Sequence, residues 1–269
     1  MNEIKILSIG NSFSEDTMEH ISNIAMSMGI KNFKFANLYR GGCSINRHYN
    51  NAINDIADYR YFVNSGDGWN VTESYKISDA VKKENWDFIS IQHGTSDTSR
   101  YTSPESYDNL LPLVKYIKKI AHTDVKIAFN MAWVAESEST HHEITSYGGD
   151  QKLMYTKLTE LTKDLIFTMN EIDVISPAGT AIQNARTCIA KKLTRDDFHL
   201  TYDLGRYIAG LTFLKSLCNL NIDTVQWCPE GVTEQEKIIA KMAVDAAVKN
   251  YFSVTKICVD TMQKIEHIQ

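Results

Sequence analysis

The sequence predicts an α/β fold, a parallel sheet covered by helices on both faces. Short apolar runs rich in Ile, Val and Phe recur along the chain, longer amphipathic stretches separate them, and no linker, repeat or low-complexity segment interrupts the 269 residues. With 43% hydrophobic and 23% charged residues, the composition is that of a core-forming globular protein rather than a disordered chain. A single domain over residues 1–269 is the simplest organisation for this length.

Taken in order, the first strand is predicted at Lys5–Ile9, followed by a helix over Thr17–Met28 and a second strand at Phe33–Tyr39. A helix follows at Asn46–Ala57. Residues 58–77 then read as an inserted hairpin, because Gly66-Asp67-Gly68-Trp69 separates two runs of aromatic and β-branched residues. Strands at Phe88–Gln92, Lys126–Met131 and Asp173–Ser176 alternate with helices at Ser106–Ala121 and Lys152–Asn170. After the last strand the pattern turns helical, at Thr180–Lys191, Leu204–Asn219, Glu234–Tyr251 and the tail Asp260–Gln269.

Charge and composition exclude several functions. The net charge is −5 and the Lys and Arg residues are scattered, so the chain lacks the electrostatic footprint of a nucleic-acid binder. The N-terminal apolar run is six residues long, too short for a signal sequence core or a membrane span, which points to a cytoplasmic protein with no membrane partner. Five cysteines, an odd number without a CxxC pair, argue against a disulfide framework or a thiolate metal site. His141-His142-Glu143 lacks a third ligand at helical spacing and HExxH is absent, so it reads as a solvated loop and no metal or cofactor is expected.

Ligands of an open parallel sheet bind beyond the carboxyl ends of its strands. Four loops lie there: residues 10–14, 40–44, 93–97 and 132–136. In the first, Ser12 follows the strand and opens a helix, where its hydroxyl sits at the sheet edge and negative charge is stabilised; a helix-capping role is the alternative. A nucleophile needs a base, and Asp196-x-x-His199 can supply one. Three residues apart, the carboxylate reaches the imidazole Nδ1–H and leaves Nε2 for a serine proton, although the same residues also suit a surface loop with a capping aspartate. Backbone N–H groups of Ser12 and Gly42 are candidate oxyanion donors. Trp133 is placed either to wall a pocket or to pack as a core aromatic, and His93 either to face the site or to serve structurally. Cys43 follows Gly42 with no paired base in the sequence, so packing is its expected role. Arg206, seven residues after His199, is expected on the polar face of its helix.

Together these residues resemble a family. Gly10-Asn11-Ser12-Phe13 is similar to the first block of the SGNH (GDSL-type) hydrolases, Gly42 to the second, and Asp196-Asp197-Phe198-His199-Leu200 to the Asp-x-x-His block, in the family's order. With Trp86-Asp87-Phe88-Ile89-Ser90-Ile91-Gln92 and His199–Tyr207, the combination is similar to a bacterial subgroup known mainly as a domain of unknown function (DUF4886-like). The resemblance implies a flavodoxin-like three-layer α/β/α sandwich and a metal-independent triad of Ser12, His199 and Asp196. Where the family has Gly-x-Asn-Asp, this chain has Gly94-Thr95-Ser96-Asp97, so the third oxyanion donor is expected from Ser96 or from the Gln92 amide. By the same resemblance the expected activity is hydrolysis of a small ester, an O-acetyl group on a carbohydrate foremost. A catalytically weak glycan- or metabolite-binding module and an O-acyltransferase are the alternatives.

Overall fold

The computed structural model describes residues 3–93, 102–122 and 124–257. Its strands are β1 (Ile4–Gly10), β2 (Phe33–Tyr39), β3 (Tyr59–Asn64), β4 (Asn70–Tyr75), β5 (Phe88–Gln92), β6 (Lys126–Asn130) and β7 (Val174–Ser176). The helices are α1 (Ser12–Met18), α2 (Ile21–Ser27), α3 (Ile45–Ile53), α4 (Ile77–Lys82), α5 (Leu110–Ile120), α6 (His142–Thr145), α7 (Gln151–Leu161), α8 (Ala178–Arg186), α9 (Leu204–Cys218) and α10 (Glu234–Lys249).

One sheet runs in the order β4-β3-β2-β1-β5-β6-β7. Strands β2, β1, β5, β6 and β7 are parallel, whereas β3 and β4 add an antiparallel edge. The hairpin read from residues 58–77 is that edge: Phe62 of β3 stands opposite Asn37 of β2. Alternation along each strand divides the core in two. Ile4, Ile6, Phe33 and Phe35 pack with α1, α2, α8, α9 and α10, while Leu7, Ile9, Leu38, Ile89 and Ile91 pack with α3, α4 and α5 on the other face.

Some boundaries differ from the sequence reading, each for a local reason. The first helix begins at Ser12, not Thr17, because Asn11 caps it by accepting the Phe13 N–H, and residues 19–20 break it from α2. The helix expected to reach Asn170 ends as α7 at Leu161 and passes into a π-helical turn at Thr162–Ile166. By contrast, α9 starts at Leu204 as expected, and Asn219 adopts the left-handed conformation (φ 51°) common at a helix end. The helix expected at Asp260–Gln269 lies outside the described residues. Among the described residues, no helix is long and apolar enough to cross a membrane.

Candidate active site

The turn behind β1 is built around a close approach. A Cβ on Gly10 would lie 2.7 Å from the Ser14 side chain and 2.9 Å from that of Gln92, so only glycine lets α1 start this near the sheet. Asn11 then braces the turn. Its Oδ1 accepts the Phe13 N–H (2.9 Å) and the Gln92 amide (2.7 Å), while its Nδ2 donates to the Cys43 carbonyl (3.0 Å) and ties this loop to the next. Ser12 follows as the first residue of α1, where the helix dipole favours negative charge.

Across from it, residues 194–200 form a tight loop closed by a bridge between Thr194 and Leu200. Within that loop Asp196 Oδ1 accepts the backbone N–H groups of Phe198 (3.1 Å) and His199 (2.6 Å), and its Oδ2 lies 2.7 Å from His199 Nδ1. His199 Nε2 is 2.9 Å from Ser12 Oγ. An unbroken carboxylate, imidazole, hydroxyl relay therefore spans residues 187 positions apart in sequence. Partial burial works to raise the Asp196 carboxyl, but the hydrogen bonds from the His199 ring and the two backbone amides outweigh it and hold the group below the usual carboxylate range.

The relay opens into a cleft of about 400 Å³ lined by Ser12, Gly42, Phe198, His199 and the segment Ser139–His141. Gly42, at φ 59°, turns its loop in the left-handed conformation that glycine permits, beside Ser12. His141 belongs to this cleft, which its polar sequence surroundings do not reveal. Its ring stacks on Phe198 (centroids 3.9 Å apart, 11° between planes), and its Nδ1 accepts the Glu143 N–H (3.3 Å). Burial, then the neighbouring His142 and His199, push its pKa down to about 4, so it stands neutral with Nε2 as its hydrogen-bearing nitrogen.

Three expected site residues turn out to support the cleft from behind. Trp133 is 0% exposed; it packs edge-on to Phe13 at 4.9 Å and donates its indole N–H to the Phe198 carbonyl (2.8 Å), bracing the histidine loop instead of walling a pocket. His93 is also 0% exposed, its Nδ1 accepting the Ala132 N–H and its Nε2 facing the Thr162 hydroxyl, and burial drives its pKa to about 3. Gln92, 2% exposed, gives its amide to Asn11 rather than to the cleft, so its expected part as an oxyanion donor is replaced by a role in holding the turn. Ser96 lies outside the described residues.

Cys43 does have a neighbouring imidazole, His48 Nδ1 at 3.5 Å, which also lies 2.9 Å from the Tyr59 hydroxyl. Burial pushes the thiol up to about 12 and the imidazole down to about 3, so the pair is a neutral packing network and not a nucleophile with its base. Arg206 is buried, not on a polar face: its guanidinium pairs with Asp16 (2.8 Å) and Glu19 (3.2 Å), while Arg195 joins Asp16 at 3.0 Å. Asp16 Oδ2 accepts the Leu200 N–H (2.8 Å) as well. Sequence reading misses this cluster because Asp16 and Arg206 are 190 positions apart. Among the described residues, no three or more His, Cys, Asp or Glu side chains converge as a metal site.

Fold and cleft together define an α/β protein with a carboxylate, imidazole and hydroxyl aligned at the end of β1. A solved lipolytic protein of the G-D-S-L family from Veillonella parvula shares the fold, at a TM-score of 0.53 and 14% identity over 81% of this chain and all of that one. This chain belongs to the family described as "Domain of unknown function (DUF4886)", which matches residues 5–247. A DUF4886 family protein from Bacteroides uniformis superimposes with a TM-score of 0.88 and 32% identity, covering 95% of this chain and 98% of its own. No curated protein matches the chain in sequence.

Proposed function

We propose that the protein is a serine esterase that removes a small acyl group, most fittingly an acetyl group from a carbohydrate hydroxyl. The observation that carries this is the relay from Asp196 through His199 to Ser12, with contacts of 2.7 and 2.9 Å. Ser12 Oγ attacks the ester carbonyl carbon as His199 Nε2 takes its proton, and Asp196 fixes the Nδ1–H tautomer and stabilises the imidazolium. The tetrahedral oxyanion is met by the backbone N–H groups of Ser12 and Gly42. On collapse, the C–O bond to the alcohol breaks and His199 returns the proton to that oxygen. Acetyl-Ser12 is then attacked by a water deprotonated at His199, which releases acetate and restores the serine. These side chains carry every proton transfer, so EDTA is expected to leave the rate unchanged.

The test is hydrolysis of p-nitrophenyl acetate and butyrate, with EDTA present, by wild type and by Ser12→Ala and His199→Ala. Turnover by wild type and background rates in both variants is the expected result. A fluorophosphonate probe should label wild type and not Ser12→Ala. Background rates in all three proteins, with no labelling, would overturn the esterase in favour of a binding module.

A further inference from the structure

Beside α1 lies a cavity of about 240 Å³ lined by Glu15, Met18, Glu19, Asn37, Phe62 and Trp69. We infer that it is a saccharide subsite, which holds one ring of the glycan whose neighbouring unit carries the ester; this rests on the esterase reading above. The walls come from two places. Glu15 and Glu19 stand on and just past α1, and Phe62 and Trp69 belong to the antiparallel hairpin at the sheet edge. The hairpin thus supplies aromatic faces at a point where a purely parallel sheet would have ended at β2.

What the polar lining groups can offer follows from how each is engaged. Asn37 is 4% exposed and its Oδ1 accepts the Ser14 hydroxyl (2.8 Å), so the amide presents Nδ2 as a donor. Glu19 is engaged by Arg206 (3.2 Å), whereas Glu15 has no ion pair among the described residues and offers a carboxylate acceptor. Arg60 already covers a face of Phe62, at 4.7 Å from its centroid. A donor, an acceptor and aromatic surface match the hydroxyl groups and the apolar face of a polyhydroxylated ring, and the guanidinium groups of Arg60 and Arg206 are already paired, with Glu73 and with Asp16 and Glu19. The volume is below the ~300–1,000 Å³ of pockets that hold drug-sized ligands, so it has room for a single ring. Glu15 follows Ser12 by three residues, about one helical turn, so one wall of the cavity stands a single turn of α1 from the serine.

The experiment is binding of xylo-, cello- and chito-tetraose, each with and without partial O-acetylation, to Ser12→Ala protein, followed by tryptophan fluorescence and calorimetry. At least one of the six is expected to bind. In the same background Trp69→Ala should weaken it about tenfold or more. Glu15→Gln, which keeps the shape of the side chain, should weaken it by a smaller factor, and it decides the matter if thermal melting shows the tryptophan variant to be unfolded. Absence of binding across the panel, unchanged affinity in the folded variants, or binding of choline in place of the sugars would each overturn the subsite. Wild-type turnover of p-nitrophenyl acetate separates the two readings: turnover without sugar binding removes the subsite alone, and sugar binding without turnover removes the esterase alone.

Discussion

At the level of single residues, the candidate site depends on groups that hold Ser12 in place. Asn11 satisfies three partners at once, so Asn11→Ala removes a helix cap and strands the buried Gln92 amide. The loss should be about 1–2 kcal/mol for the cap and a further ~1–3 kcal/mol for the unsatisfied donor, read from urea denaturation midpoints. Asp196→Asn tests the other end of the relay. It keeps the shape of the loop but presents the wrong partner to His199 Nδ1–H, and kcat for p-nitrophenyl acetate should fall by about 10³–10⁴ with the fold intact by circular dichroism. A drop of less than tenfold would mean that His199 is oriented by something else. The positions of Ser12, Gly42, Asp196 and His199 around one cleft were candidates in the sequence because each belongs to a short local pattern. Those of Trp133, His93 and Gln92 were not legible there, since a strand-end residue looks the same in sequence whether it faces the cleft or the core.

Among the elements, α1 carries the most responsibility with the least intrinsic stability. Seven residues make a helix too short to persist alone, so its position is set by tertiary contacts. Asp16, 0% exposed, is the main one. It binds Arg195, Arg206 and the Leu200 N–H, which fastens the serine's helix to the histidine's loop from below. Removing it with Asp16→Ala leaves the buried Arg206 guanidinium with Glu19 as its one remaining carboxylate and should cost about 3 kcal/mol in denaturant unfolding. Because the same contact sets the spacing of Ser12 and His199, esterase activity should fall in the protein that remains folded. Full activity in folded Asp16→Ala would show that the loop holds its place through Trp133 and Phe198 alone.

For the molecule as a whole, buried neutral histidines predict how it responds to acid. His48 and His93 are fully buried, with their pKa values pushed down to about 3 by that burial. An unfolded chain takes up those protons near the ordinary value of about 6.5, so between these limits it binds more protons than the folded one, and stability rises with pH. Each histidine should therefore cost on the order of 2 kcal/mol at pH 5 relative to neutrality. Asp196 acts in the same direction lower down, since its depressed folded pKa adds stability above the ordinary carboxylate value that is lost as pH falls through it. A melting temperature that declines from pH 7 to pH 5, less steeply in His48→Gln, is the expected observation. A flat profile would contradict it.

Much of the architecture was written into periodicity. The apolar runs at residues 5–9, 33–39, 88–92 and 126–131 became neighbouring parallel strands because each is buried on both faces and has no other way to be covered. The motif at Ser12 and the Asp-x-x-His spacing were legible for a similar reason: a helix start and a tight turn are local events, decided within a few residues. What no local pattern encodes is distance between remote segments. The 2.9 Å between Ser12 and His199, the burial of Arg206 against Asp16, the entry of His141 into the cleft and the hairpin's aromatic wall beside Glu15 arise only when β1, the 194–200 loop and the sheet edge pack together. Residue type and spacing determined which chemistry was available; packing decided which of those groups face the cleft and which hold it up, because burial and long-range contact belong to the folded chain alone.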